Sequence, residues 1–180
     1  MKRAWMSLLI AVVALGFVVP AGARRDPLND LEIEELREAA QDPPKRLKLL
    51  LKFTRDRMAL IDALRAEPGG SKDRSRRMHD LLEDFGILVD ELDNNVETYA
   101  ARKSDLRKPL RAIVQADNEF LEKLRSLKAI AAADPALAEE AKEYEFILED
   151  VTDSVQASLE TALETLQAQD LAARDPKKKR

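Results

Sequence analysis

Residues 78–99 read MHDLLEDFGILVDELDNNVETY. Their apolar side chains, Met78, Leu81, Leu82, Phe85, Leu88, Val89, Leu92, Val96 and Tyr99, recur in alternating steps of three and four. That period lays one stripe along an α-helix, of coiled-coil character, where a half-buried strand would alternate every second residue. The pattern predicts a helix over about Lys72 to Arg102.

Working backward, Pro68-Gly69-Gly70-Ser71 separates this helix from an earlier one over about Lys45 to Glu67. Leu47, Leu50, Leu51, Met58, Ile61 and Leu64 share one face there, and Leu49, Phe53 and Leu60 widen it, so this helix must touch more than one neighbour. Pro43-Pro44 marks its other boundary. Before the prolines, Asp30 to Gln41 forms a short helix with Asn29 or Asp30 as N-cap and glutamates 32, 34 and 35 near the positive end of the helix dipole. It is expected to act as a lid across one end.

Working forward, a turn near Ser104 leads into a helix carrying Leu106, Leu110, Ile113, Phe120, Leu124 and Leu127, with Asp117 filling the gap in the stripe. Pro109 falls in its first turn, where no intrahelical donor is lost. Asp134 as N-cap and Pro135 at the first helical position then open a last helix, read as continuous to Ala173 through Leu137, Ala141, Tyr144, Leu148, Val151, Val155, Leu159, Ala162 and Leu166.

Four long helices with short connections make the expected fold all-α: an antiparallel, up-down-up-down four-helix bundle with a short additional N-terminal helix. In the hairpin turning near Ser104, Glu91 is expected opposite Asp117. Charge predicts a second adjacency. Lys45, Arg46, Lys48, Lys52, Arg55, Arg57 and Arg65 line the Lys45–Glu67 helix, whereas the last helix holds ten acids against Lys142, so those two are expected side by side.

The ends read differently from the core. Lys2 and Arg3, an apolar run from Leu8 to Val19, and Ala21 and Ala23 before Arg24 have the three parts of a secretory signal peptide over residues 1–23. The apolar stretch is short for a bilayer span, which needs roughly 20 residues. One helical-bundle domain is expected over 24–173, with no membrane span after cleavage, and a basic flexible tail over 174–180. The expected location is periplasmic or secreted. Cleavage would take the net charge from −4 to about −6, against the basic balance of a nucleic-acid binder.

Composition removes many chemistries. The chain has 180 residues and no cysteine, so disulfides, thiolate metal sites, thiol nucleophiles and covalent haem attachment are excluded. One histidine, His79, excludes a multi-histidine metal centre, and it reads as a surface or boundary residue beside Asp80 and Glu83. No Glu-x-x-His pair of a di-metal bundle and no glycine-rich phosphate loop occurs. Charged residues at 36% with aromatics at 4% favour long amphipathic helices over sheets. No motif ties the chain to a family of known activity, and no catalytic set or cofactor is called for.

Two candidate sites remain. Glu91, Asp93, Asn95 and Asp117 offer carboxylate and amide oxygens suited to calcium or magnesium, although no Asp-x-Asp-x-Asp-Gly loop holds them. Asn95 and Asp117 also serve as polar residues that fix helix register. Lys48, Lys52 and Arg55, with Glu160 and Glu164, form the candidate partner-binding surface. The function these features imply is that of a non-enzymatic envelope protein that binds another protein as scaffold, adaptor or holdase; the alternative is a divalent-metal-binding or metal-sensing bundle. Lys177, Lys178, Lys179 and Arg180 can attach to an anionic envelope surface, and the absence of interleaved aromatics argues against nucleic acid.

Overall fold

A computed structural model of the chain describes residues 26–68 and 72–174. Six helices lie among the described residues: α1 (Asp30–Glu38), α2 (Pro43–Arg65), α3 (Lys72–Ala101), α4 (Arg107–Ala133), α5 (Pro135–Ala141) and α6 (Glu145–Arg174). No strand occurs among them, and no helix of the described residues is long and apolar enough to cross a membrane. The expected signal peptide and basic tail lie outside the described residues, apart from Arg174, which ends α6.

Local chemistry explains the boundaries. The Asn29 side chain accepts from the Leu31 and Glu32 N–H groups at 3.0 Å, and Glu32 Oε2 accepts from the Asn29 N–H at 2.9 Å, a reciprocal capping box that starts α1. Asp42 caps α2 by accepting from the Lys45 N–H at 3.1 Å, with Pro43 and Pro44 inside its first turn. The helix therefore begins two residues before the pattern placed it, because a first-turn proline forfeits no hydrogen bond. At the end of α3, Lys103 takes φ 62° while the Ser104 N–H donates to the Tyr99 carbonyl and the Lys103 N–H to Ala100. This is a Schellman closure built on lysine where glycine is usual. Gln169 of α6 then clamps the connection, donating to the Ser104 carbonyl at 3.0 Å and accepting from the Leu106 N–H at 2.8 Å.

The last helix is not continuous. A tight turn over 142–144 divides it into α5 and α6, with the Tyr144 N–H donating to the Ala141 carbonyl. Glu140 and Tyr144 both turn inward here, 8% and 3% exposed. Arg74 of α3 reaches Glu140 at this corner. The apolar spacing of Leu137, Ala141, Tyr144 and Leu148 runs through the break without interruption, and no glycine or proline marks it. Periodicity alone could not have located it.

The four long helices surround one core that includes Phe53, Met58, Phe85, Leu88, Ile113, Phe120, Val151 and Val155. α2 packs on α3, α3 on α6, α6 on α4, and α4 on α2. The ring order is thus α2, α3, α6, α4, which corrects both expected adjacencies. α3 and α4 lie across the core, where Phe85 and Phe120 meet edge to face with centroids 5.2 Å apart. α2 and α6 occupy the other diagonal. Contacts along α3 and α6 advance together, Gly86 against Val151 and Asp93 against Thr161. Those between α4 and α6 run oppositely, with Lys128 at Glu149, Asp117 at Ser158 and Arg111 at Asp170.

The reason lies in which pairs can approach closely. Gly86 lets α3 come so near α6 that an added Cβ would stand 2.8 Å from Val151 Cγ2. α1 lies along the flank of α2 instead of across an end: Arg57 bonds the Pro27 carbonyl and Glu32, and Arg46 bonds the Leu36 carbonyl.

Candidate functional site

The ring order divides the four oxygen-bearing residues read from the sequence into two separate places. Glu91 and Asn95 face the α2/α3 seam. Arg46 donates to Asn95 Oδ1 at 3.0 Å and to Glu91 Oε1 at 3.3 Å, and the Asn95 amide also donates to Glu91 Oε1 at 2.8 Å. Glu91 is therefore held by a guanidinium and an amide, and Asn95 serves as a bridge between helices. The period of α3 reveals nothing of this, since the partner lies 45 residues away on α2.

Asp93 and Asp117 belong instead to the α3, α6 and α4 side. Asp117 is 1% exposed on the inward stripe of α4. Its Oδ2 accepts from Ser158 Oγ of α6 at 3.2 Å, while its Oδ1 is buried with no partner. Burial, opposed by the Ser158 hydrogen bond and reinforced by the charge of Asp93, pushes its carboxyl up to about 7. Asp93 bonds Thr161 of α6, and its own Oδ1 is also buried without a partner. Burial raises its carboxyl as well, helped by Glu97 and Asp90 on the same helix. Ser158 and Thr161, three apart on α6, were not singled out in the sequence. Ser158 interrupts the stripe Val151, Val155, Ala162 with a hydroxyl, and that interruption was the available signal.

Among the described residues, no group of three or more histidine, aspartate and glutamate side chains gathers in a form able to hold a metal ion. Glu91 and Asn95 are not brought to Asp117. What this corner offers is two carboxyls and two hydroxyls from three helices. Chemically it can take up a proton near neutrality or present oxygens to a small cation.

Elsewhere, buried carboxylates are paired. Glu32 and Arg57 share two contacts of 3.1 and 2.6 Å; burial works to raise the Glu32 carboxyl, but the guanidinium and the Asn29 N–H outweigh it and hold it low. Arg74, 4% exposed, bonds Glu140 and the carbonyls of Leu64 and Arg65, tying α5, α3 and the end of α2 together. The Tyr144 phenol beside this pair is raised by burial and by the Glu140 charge. His79 is part-exposed, with Nδ1 3.8 Å from Asp80. An open groove of about 450 Å³ between α1 and the α2/α3 seam is lined by Leu28, Ile33, Leu36, Leu88 and Arg46.

The candidate partner-binding residues separate too. Lys48, Lys52 and Arg55 are exposed on α2, with Glu35 4.0 Å from Lys52 and Glu119 3.9 Å from Arg55. Glu160 and Glu164 are exposed on α6, at the opposite corner of the ring. The helices group by charge accordingly. α2 and α4, which are neighbours, carry 13 lysines and arginines against 5 acids; α3 and α6, also neighbours, carry 15 acids against 5 lysines and arginines. One side of the bundle is basic and the opposite side acidic. Large apolar side chains stand among these charges, Leu60 on α2 and Ile130 on α4, with Phe146, Leu163 and Leu171 on α6, the last three 77%, 46% and 58% exposed.

Compared with protein-family models, curated proteins and solved structures, the chain has no significant match in any of the three.

Proposed function

We propose that this is an exported, non-enzymatic helical protein of the periplasm or extracellular space that binds another protein, acting as a scaffold, adaptor or holdase. The observation that carries the reading is the segregation of charge between opposite faces of one bundle, with exposed apolar side chains on the acidic helix α6. Such a face attracts a cationic partner over distance and gives it apolar surface to bury on arrival. The finer architecture belongs to the same proposal: an up-down-up-down bundle whose hairpin mates α2/α3 and α4/α6 are antiparallel. The order of contacts between each pair supports it.

Photo-crosslinkers placed at Leu163 and at Leu60, in protein expressed in an exporting host, test the reading. A discrete protein adduct that is lost when Glu160 and Glu164 become lysine supports it; no adduct from either position contradicts it.

Divalent-metal binding is kept as a second reading because of the unpartnered, buried Oδ1 atoms of Asp93 and Asp117. It rests on that pair with Ser158 and Thr161, without Glu91 and Asn95. It requires calcium or magnesium to raise the melting temperature, and Asp117→Asn to abolish the rise.

A further inference from the structure

Within one molecule the two charged faces pair at their seams, Arg46 with Glu91 and Lys128 with Glu149, while the ring order puts their outer charges on opposite sides. We infer that they satisfy one another between molecules: the acidic α3/α6 face of one copy docks on the basic α2/α4 face of the next. This deepens the protein-binding reading and rests on it, naming a second copy of the chain as a partner.

Charge complementarity is the first support. Asp150, Asp153, Glu160 and Glu164 project from α6, with Glu97 on α3 beside them. Lys45 and Lys48 project from α2, and Lys108 and Arg125 from α4; Lys52 and Arg55, also exposed on α2, stand 4.0 and 3.9 Å from Glu35 and Glu119 of their own chain. The α4/α6 seam already uses some charges, Lys128 with Glu149 and Arg111 with Asp170, so the docking charges are those farther out on each face. Like faces repel, which disfavours a symmetric pair that would bring acid to acid.

Dimensions are the second support. The shorter, basic face sets the limit: α2 and α4 have 23 and 27 residues, so a face two helices wide is about 35–40 Å long and about 20 Å across. That is about 700–800 Å² per partner, close to an interface of standard size. Because the two surfaces differ, the contact is heterologous: it leaves one basic and one acidic face free at each step and continues as a chain, or closes as a ring.

Sedimentation velocity on the full protein, purified from an exporting host, reads this directly from about 5 to 200 µM, at low salt and again at about 0.5 M salt, where the charges are screened. The expected result is mass growing with concentration at low salt and monomer at high salt. Lys48→Glu with Lys52→Glu turns the basic face acidic, and Glu160→Lys with Glu164→Lys turns the acidic face basic. Each variant alone should self-associate at least about tenfold more weakly, with helical circular dichroism unchanged. Mixed one to one, the two variants should recover association through their intact, opposite faces. A monomer at every concentration and salt overturns the inference, and so does association that both reversals leave unchanged. If the protein stays monomeric while the Leu163 crosslinker still captures another protein, self-association fails and the broader protein-binding reading stands.

Discussion

The two seams that flank α3 treat their acids in opposite ways. On the α2/α3 side, arginines meet the carboxylates: Arg46 holds Glu91 and Asn95, and Arg77 holds Glu67. Arg74 likewise crosses to Glu140 at the α5 corner. On the α3/α6 side, acids meet hydroxyls, Asp93 with Thr161 and, one helix further, Asp117 with Ser158, and each aspartate retains a buried oxygen without a partner. The first seam has used its charge for structure. Along the second the carboxyls face hydroxyls in place of cations and burial disfavours their ionisation, and they lie under the face whose outer residues are acidic.

Removing one member of the best-paired set should give the largest effect. Glu140→Gln removes a carboxylate from the Arg74 guanidinium, 5% exposed, and a loss of about 3–5 kcal/mol is expected in urea unfolding. A loss under 1 kcal/mol would show that water reaches the pair.

The unpaired seam should respond in the opposite direction. The Asp117 carboxyl titrates at about 7 in the folded chain, above its value of 3.8 when exposed. Such a group contributes stability that is fully present below about pH 4 and lost as pH rises through 7, because ionisation is disfavoured only in the folded state. Asp117→Asn removes that penalty while keeping a polar group for Ser158. It should stabilise by about 1–2 kcal/mol at pH 8 and by almost nothing at pH 4, read as melting temperature against pH. Destabilisation at both pH values would mean that a ligand or water satisfies the carboxylate.

A smaller effect is expected where α3 and α6 touch. Gly86→Ala puts a methyl group 2.8 Å from Val151 Cγ2; a net loss of about 1 kcal/mol should follow, the clash outweighing alanine's better helix propensity. Val151→Ala should recover the clash part in a double-mutant cycle. The smallest change is at the α3/α4 connection. Lys103→Gly relieves the positive φ and should stabilise by about 0.5–1 kcal/mol.

Much of the fold was legible because each long helix announces itself by period. The stripes from Leu47 to Leu64, Met78 to Tyr99 and Leu110 to Leu127 are buried where spacing placed them, except that Leu49 and Leu81 are half-buried and Leu60, expected to widen the α2 face, is 50% exposed. Ring order was not legible, since a stripe says which face is inward and nothing about which neighbour it meets. Opposite charge on α2 and α6 argued for contact, but exposed ion pairs are worth about 0–1 kcal/mol and yielded to the close approach of α3 and α6 at Gly86. Consequently the four oxygen-bearing residues divide, and Lys48 and Glu160 face away from each other. Asp117 was visible as a polar interruption in an apolar stripe; its Ser158 partner, 41 residues away, was not.

The two charged faces exist only if α3 lies beside α6 and not beside α4, and a chain without cysteine allows a clean test. A Cβ at Gly86 would stand 4.0 Å from Val151 Cβ, within the disulfide range. Under mild oxidation, Gly86→Cys with Val151→Cys should close quantitatively within one chain, while Glu91→Cys with Asp117→Cys should stay reduced. Closure of the second pair and not the first would put α3 against α4, return the two charged helices α2 and α6 to one edge, and contradict the account.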